Sequence, residues 1–584
     1  MNKTLDLHAL IAQLQRSSLS TALRLHARLL VSGLHSSPFA ISALISLYSN
    51  LSLPSLSYSV FLSSSLPHHP PSLFVHNSLI SALSSNSLPS LALHHFHLLH
   101  SHPVLRPDRF SFPCAIRSCA DLAASEHLLA IHAVLFKSCL ETDVFISSAL
   151  IHAYLKFGLV ADAEKVFVEL PERDVVLWNA MVNGFAQLGY FPRAIEFFDR
   201  MLREGVPLSR FTITGVLSVF TTTGDLLHGR MIHGFALKVG YDDGNAVCNA
   251  LIDLYGKCEV SEDAVKVFDL MPERDIYSWN AMISAHENSG DHAKSLRLFA
   301  LMRRSGVWPD AVSMATALPA CSQIAALSHG REIHALMVVM GITGKAVFVD
   351  NALMDMYGKS GSLDDAQRLF DEMPQRDTAS WNILIVAHAA HGLAQEALKL
   401  FERMCEAGVE PDAVTFVGVL TACSHAGLVS EGKKVMERMK GEFGVEPEME
   451  HYVCAVDMLG RAGRLEEAKE LAERAGEMAA WRAYLWASGE EVGRVEEVVE
   501  RVVGRDEGGS GGWVLVANAY GRAGRYREVE KMRGTMKERR VRKMAGCSWV
   551  EVAGKGVHEF VTGDRRHPEM EKIYEVLQGF GCLG

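Results

Sequence analysis

The sequence predicts an all-α, right-handed superhelical solenoid of helix-turn-helix repeats, and three observations carry that expectation. One phrase recurs as Trp178-Asn179-Ala180-Met181, Trp279-Asn280-Ala281-Met282 and Trp381-Asn382-Ile383-Leu384, at offsets of 101 and 102 residues. Each copy follows an Arg-Asp pair: Arg173-Asp174, Arg274-Asp275 and Arg376-Asp377. A second marker, Ile-His or Leu-His, recurs at His26, His132, His233 and His334, the last two intervals again being 101. A fixed period of this size is the signature of stacked repeats.

Taken in order, the period divides into units of about 35, 35 or 36, and 31 residues. They fall at 73–108, 109–143 and 144–174, then 175–209, 210–244 and 245–275, then 276–310, 311–346 and 347–377. The array closes with 378–412, 413–448 and 449–480. Each unit reads as two helices. In 347–377, Ala352, Leu353, Met356 and Tyr357 share one helical face. Gly358 to Gly361 break the pattern, and Ser362 then reads as an N-cap with Asp365 three residues on, as in a capping box. The second helix should stop at Met373-Pro374, since proline cannot continue it. A helix pair this small must bury its apolar face against its neighbours.

Bulk composition agrees with a packed array. Hydrophobic content of 48% and charged content of 21% are ordinary for a folded protein. No apolar run approaches the ~18 residues that span a bilayer, so no membrane partner is expected. The eleven cysteines include no Cys-x-x-Cys pair, which points to free thiols; Cys119, Cys321 and Cys423 fit core packing. No metal or other cofactor is implied. Residues 1–107 hold a single acidic residue, Asp6, with Arg16, Arg24 and Arg28 among serines and leucines. That composition suits an organelle transit peptide, while His26 places the same residues in a degenerate repeat. The expected organisation is 1–72 as a transit-like segment overlapping worn repeats, 73–480 as the array, and 481–584 as an extension.

The alternating unit lengths, with Trp-Asn-Ala-Met, Gly-Arg-Glu-Ile-His (330–334), Asn-Ala-Leu-Met-Asp-Met-Tyr-Gly-Lys (351–359) and Asp-Glu-Met-Pro-Gln-Arg-Asp (371–377), resemble plant pentatricopeptide repeat proteins of the PLS subclass. The tail agrees: Asp457 to Ala468 resembles the family's final short repeat. Trp513 to Gly546, Cys547 to Val552, His558 to Phe560 and Gly563 to Pro568 resemble its E and E-plus extension. Residues 476–512 depart from the first E motif, with Gly508 to Gly512 replacing its usual end. The resemblance implies an organellar factor, in mitochondria or alternatively chloroplasts. It would bind single-stranded RNA and specify cytidine-to-uridine editing. It would not itself be an enzyme: the chain stops at Gly584, where related editing proteins continue into a DYW deaminase domain, and His558-Glu559 and Cys582 do not supply that domain's zinc ligands. The implied partners are a DYW-type deaminase and other editing cofactors in trans. Other roles open to such a chain are RNA stabilisation, processing or splicing, and a protein-binding scaffold.

The resemblance also places base selection at the fifth and last residue of each repeat. Here those pairs are Asn77/Asp108, Ser148/Asp174, Asn179/Ser209, Asn249/Asp275, Asn280/Asp310, Asn351/Asp377 and Asn382/Asp412. A short amide offers a donor and an acceptor to a base edge. A single such Asn is readily a helix-cap residue, but the recurrence at one repeat position favours a reading code. In the family, Asn with Asp tends to select uridine, Asn with Ser cytidine and Ser with Asp guanosine, read 5′ to 3′ from the N-terminus. The second residues, Phe74, Phe145, Val176, Tyr277, Phe348 and Ala379, could wedge between bases. The repeated His and Trp series read as packing. Net charge is −11, yet Arg522 to Lys543 carries ten Lys/Arg against three Glu. That run reads as a solvated helix face or as a contact for RNA phosphate.

Overall fold

The computed structural model describes residues 19–31, 37–64, 72–241, 244–476, 478–487 and 511–539, strands at 547–552 and 556–561, and a few isolated positions. The chain forms two compact units, Met1–Cys258 and Glu259–Gly584. Each is a stack of helix pairs.

Helix starts coincide with the repeat starts read from the period. First helices open at Leu73, Val144, Val175, Arg210, Asn245, Ile276, Ala311, Val347, Thr378, Ala413 and Met449; the helix of 109–143 opens two residues late, at Ser111. The cause lies in the preceding residue. Asp174 accepts hydrogen bonds from the Val176 and Leu177 amides, Asp310 from Ser313, Asp377 from Ser380 and Asp412 from Thr415. The last residue of one repeat is thus the N-cap of the next, satisfying amides that have no partner within the helix. Between the two helices of a repeat the chain turns through left-handed glycines such as Gly361 and Gly392, a conformation costly for other residues.

The recurring Arg-Asp pair has a structural purpose on both sides. Arg376 donates from Nε to the Phe370 carbonyl at 2.7 Å and from its terminal nitrogen to the Asp371 carbonyl at 2.8 Å. These bonds satisfy carbonyls at the end of Leu363–Glu372. The same guanidinium lies 4.9 Å over the Phe370 ring, which meets Trp381 edge-on at 4.7 Å. Arg173 with Phe167 and Trp178, and Arg274 with Phe268 and Trp279, repeat the arrangement. The three tryptophans are core residues, Trp178 being fully buried.

The histidine marker is a second latch. His132 Nδ1 lies 2.5 Å from the Tyr154 hydroxyl, and His26–Tyr48, His233–Tyr255 and His334–Tyr357 repeat this at 2.7 to 2.8 Å. Each pair ties the second helix of one repeat to the first helix of the next. At His233 and His334 a glycine four residues earlier belongs to the same contact. A Cβ at Gly330 would overlap the Met356 thioether, and one at Gly229 would overlap Leu254.

Two expectations change, at Ser362 and at the C-terminal end. Ser362 occupies the N-cap position, but its hydroxyl donates to the Asp365 carboxylate at 2.7 Å and caps no amide. The charged acceptor wins over the backbone. Within the segment read as transit-like, Pro38–Asn50 and Pro54–Ser64 form a helix pair that packs on Leu73–Ser85, burying Leu44, Ile45 and Tyr48. Residues 1–18 lie outside the described residues. The all-α stack also ends in an antiparallel hairpin, β1 (Cys547–Val552) and β2 (Gly556–Val561), with Val550 opposite His558. It follows the helix pair Gly511–Arg522 and Tyr526–Glu538. Most of the altered first E motif, 488–497 and 499–510, lies outside the described residues.

Leu353, Met356 and Tyr357 are buried as the periodicity requires, and Cys119, Cys321 and Cys423 are buried free thiols. No described helix is long and apolar enough to cross a membrane.

Candidate nucleic-acid interface

The second residue of the repeat stands out along each unit. Phe39, Phe74, Phe110, Phe145, Val176 and Phe211 in the first unit, and Tyr277, Val312, Phe348 and Val414 in the second, are 49 to 74% exposed. Aromatic and branched residues held in water at a fixed repeat position are unlike the buried tryptophan two residues on. Phe39 and Phe74 approach to 5.6 Å between ring centres. The sequence singles out Phe74, Phe145, Val176, Tyr277, Phe348 and Ala379, the last exposed but only a methyl, and misses Phe39, Phe110, Phe211, Val312 and Val414. The missed residues obey the same 31-, 35- or 36-residue spacing, which would have found them.

The fifth residue lies one helical turn further along the same face. In the first unit, a cleft of about 620 Å³ between Phe74 and Phe110 contains Asn77, and one of about 710 Å³ between Phe110 and Phe145 contains Ser148. Each cleft is bracketed by two exposed rings with a base-selecting candidate on its floor.

The amides are held in place. Asn77 Nδ2 donates to both carboxylate oxygens of Asp108, at 2.9 and 3.0 Å. Asn382 Nδ2 donates to Asp412 at 2.9 Å, while Thr415 donates to Asn382 Oδ1 at 2.6 Å. Asn351 does the same with Asp377 and Ser380, at 3.0 and 2.7 Å. Asn179 donates to the Ser209 hydroxyl at 2.9 Å and accepts from Thr212 at 2.6 Å. In the Asn179, Asn351 and Asn382 rings the closing hydroxyl sits three residues after the repeat boundary, whereas Ser111 at that place donates to Asp108 and leaves Asn77 Oδ1 buried without a partner.

Three pairs are arranged differently. Asn280 makes no hydrogen bond with Asp310; its Oδ1 is buried without a partner, and Ser313 donates to Asp310 alone. Ser148 is too short to reach Asp174, which only caps its helix. Asn249 belongs to the first unit and Asp275 to the second, where it caps Ile276–Asn288.

These contacts leave chemistry to spare. An amide has two N–H groups and two lone pairs on oxygen. In Asn382 and Asn351, one of each is used, so one donor and one acceptor remain. Burial would raise the Asp412 carboxyl, but bonds from the Thr415 amide, Asn382 and the Thr415 hydroxyl outweigh it and hold it below the usual carboxylate range. Asp377 is lowered in the same way, burial being outweighed by Asn351 and Ser380. Both are anions that only accept.

The repeats 109–143, 210–244 and 311–346 have Pro113, Thr214 and Ala315 at the fifth position, and 413–448 and 449–480 have Val417 and Val453. On the Tyr526–Glu538 helix, Arg527, Lys531, Arg533 and Lys537 are exposed, with Val529, Met532 and Met536 turned inward. Among the described residues no cluster of three or more His, Cys, Asp or Glu could hold a metal.

Comparison with known proteins adds independent findings. The PPR repeat model matches residues 145–175, 246–276, 277–307, 351–377 and 414–442, and the PPR repeat family model matches 173–221 and 376–425. The E motif model matches 490–551. The pentatricopeptide repeat-containing protein At3g14730 of Arabidopsis thaliana is 40% identical over 96% of this chain and 86% of its own. Two further Arabidopsis thaliana relatives have organellar names. At3g11460, mitochondrial, is 36% identical over 81% of this chain and 76% of its own; At3g57430, chloroplastic, is 33% identical over 86% and 58%. Among solved structures, the pentatricopeptide repeat protein PPR10 in complex with an 18-nt psaJ RNA element matches with a TM-score of 0.55, covering 89% of this chain and 82% of that chain at 18% identity. At that identity the likeness is one of fold.

Proposed function

This chain belongs to the plant pentatricopeptide repeat proteins, and we propose that it binds single-stranded RNA in a sequence-specific manner and specifies cytidine-to-uridine editing sites in organellar transcripts. The observation that carries the reading is the pairing of an exposed wedge with an immobilised Asn–Asp or Asn–Ser pair, repeated along each unit's first helices. Wedges that separate bases expose their Watson–Crick edges, and a held side chain reads one base per repeat.

Chemistry at the pair suggests which base. An acceptor-only carboxylate suits an edge whose central atom donates, as N3–H of uracil or N1–H of guanine does. The Ser209 hydroxyl can donate, which suits the N3 acceptor of cytosine. Repeats from 73 to 412 then read U, unread, G, C, unread, U, U, unread, U, U, with the unread places at Pro113, Thr214 and Ala315. The edited cytidine follows a few nucleotides 3′ of the array. PPR10, bound to an RNA element, is a precedent for the fold.

Editing in particular is supported by the E motif match at 490–551. In this reading a DYW-type deaminase and further editing cofactors act in trans. The relatives' names support an organellar setting, the mitochondrion in the first instance and the chloroplast as the alternative. Comparing organelle cDNA with genomic DNA in a knockout tests the proposal. A cytidine that fails to convert, downstream of the read pattern, is the expected result. Normal editing with altered transcript ends or retained introns would replace it with a role in stabilisation, processing or splicing.

A further inference from the structure

The unread repeat 109–143 differs from the other unread repeats at one place on its RNA-facing helix. The ninth residue of each repeat lies on the first helix, on the side of the second and fifth. Across the array that residue is Ser81, His152, Asn183, Ser218, Asp253, Ser284, Pro319, Asp355, Val386, Thr421 or Asp457; in 109–143 it is Arg117, the one Lys or Arg at this position. Arg117 lines the cleft of about 710 Å³ between Phe110 and Phe145, with Ser148 and His152. It is exposed and makes no ion pair among the described residues. Its cationic neighbours are neutralised: Lys156 pairs with Asp121 at 3.0 Å and Arg109 with Asp143 at 3.5 Å. The adjoining cleft around Asn77 has no charged lining residue.

Arg109 adds a second element. Its guanidinium lies 5.6 Å from the Phe110 ring centre and 5.8 Å from that of Phe145, so it covers the gap between the two wedges. A base entering there meets aromatic faces and a guanidinium plane together. Both favour stacking.

We infer that repeat 109–143 is an RNA anchor, in which Arg117 binds the phosphate of the nucleotide whose base faces Ser148. The inference rests on the RNA-binding reading and adds a backbone contact in a repeat that reads no base. Phosphate contacts carry no sequence information but set affinity and salt dependence. Each phosphate neutralised on a single strand contributes about 0.7 to the slope of log affinity against log salt.

The test uses the full chain and a single-stranded RNA carrying the read pattern, with a second probe of scrambled sequence, across a salt series. Wild-type preference for the patterned probe bears on the RNA-binding reading; the difference between wild type and variant bears on the anchor. Arg117→Gln should weaken binding to both probes by the same factor and flatten the salt slope by about 0.7. Arg117→Lys should restore most of both, which a merely structural role would not predict. The inference is overturned if Arg117→Gln leaves affinity and slope unchanged, or if it alters base preference at the Ser148 position with the slope intact.

Discussion

Repeat 378–412 and repeat 311–346 share a backbone plan and differ in what they can do with it. The first holds Asn382 between Asp412 and Thr415, and so offers a fixed donor and acceptor beside its exposed face. The second has Val312 exposed at the wedge position but Ala315 where the amide would be, and ends in Ala346, which caps nothing. In the proposed reading, stacking and base selection are therefore separable functions. Wedges recur in both kinds of repeat, while the amide ring is confined to one. The Arg–Phe–Trp clamps at Arg173, Arg274 and Arg376 stand at the entry to repeats 175–209, 276–310 and 378–412.

The largest effect that tests this division is on stability. Trp178→Ala removes a fully buried ring packed on Phe167 and Phe197, and should cost ~3–5 kcal/mol in urea unfolding of the first unit. A loss near that of an exposed wedge would show that the clamp is not structural. Next in size, Phe211→Ala in an unread repeat should leave the melting temperature almost unchanged yet weaken RNA binding by ~1–3 kcal/mol, equally for every base opposite it. A change in base preference there would mean that unread repeats also read. Smaller again, Asp377→Ala should destabilise by ~1 kcal/mol through loss of the cap and leave Asn351 without its acceptor. Thermal melting and base-substituted probes would measure the two parts separately.

The weakest effect concerns the latches between unread repeats and their successors. Burial lowers the pKa of His132 and His334, against the opposing pull of nearby carboxylates, and burial with the neighbouring His102 and His95 lowers His76 to about 4. A histidine whose pKa is depressed in the fold takes up its proton more readily when unfolded. Stability is then complete above the ordinary value of 6.5 and falls as pH drops from there toward 4. Melting temperature measured across that range should decline, and His334→Gln should make the decline shallower. An unchanged slope would remove His334 from the account.

Much of this was legible in the sequence because the repeats themselves supply the comparison. Trp178, Trp279 and Trp381 could be assigned to the core, and the period placed the repeat starts where all but one of the first helices open, that of 109–143 starting at Ser111. The hydroxyl ring was not legible, because Thr212, Ser380 and Thr415 are ordinary cap-box residues until their second partner is seen. Ser362 misled for the opposite reason. Its spacing to Asp365 is right for a capping box, but a direct hydroxyl–carboxylate bond competes with the backbone. Arg117 was invisible to motif reading because it is an exception to the repeat. The hairpin at 547–561 was hidden by the helical period that precedes it.

The central claim, that a held pair in each reading repeat selects one base, is tested most directly at Ser209. It closes the only Asn–Ser pair in the series, with Asn179 Nδ2 donating to its hydroxyl at 2.9 Å. In competition binding with probes that differ at that one nucleotide, Ser209→Asp should move preference from cytidine to uridine by roughly 1–3 kcal/mol, the usual scale of one base contact. Retained preference for cytidine, with unchanged affinity for the rest of the probe, would contradict base selection by these pairs.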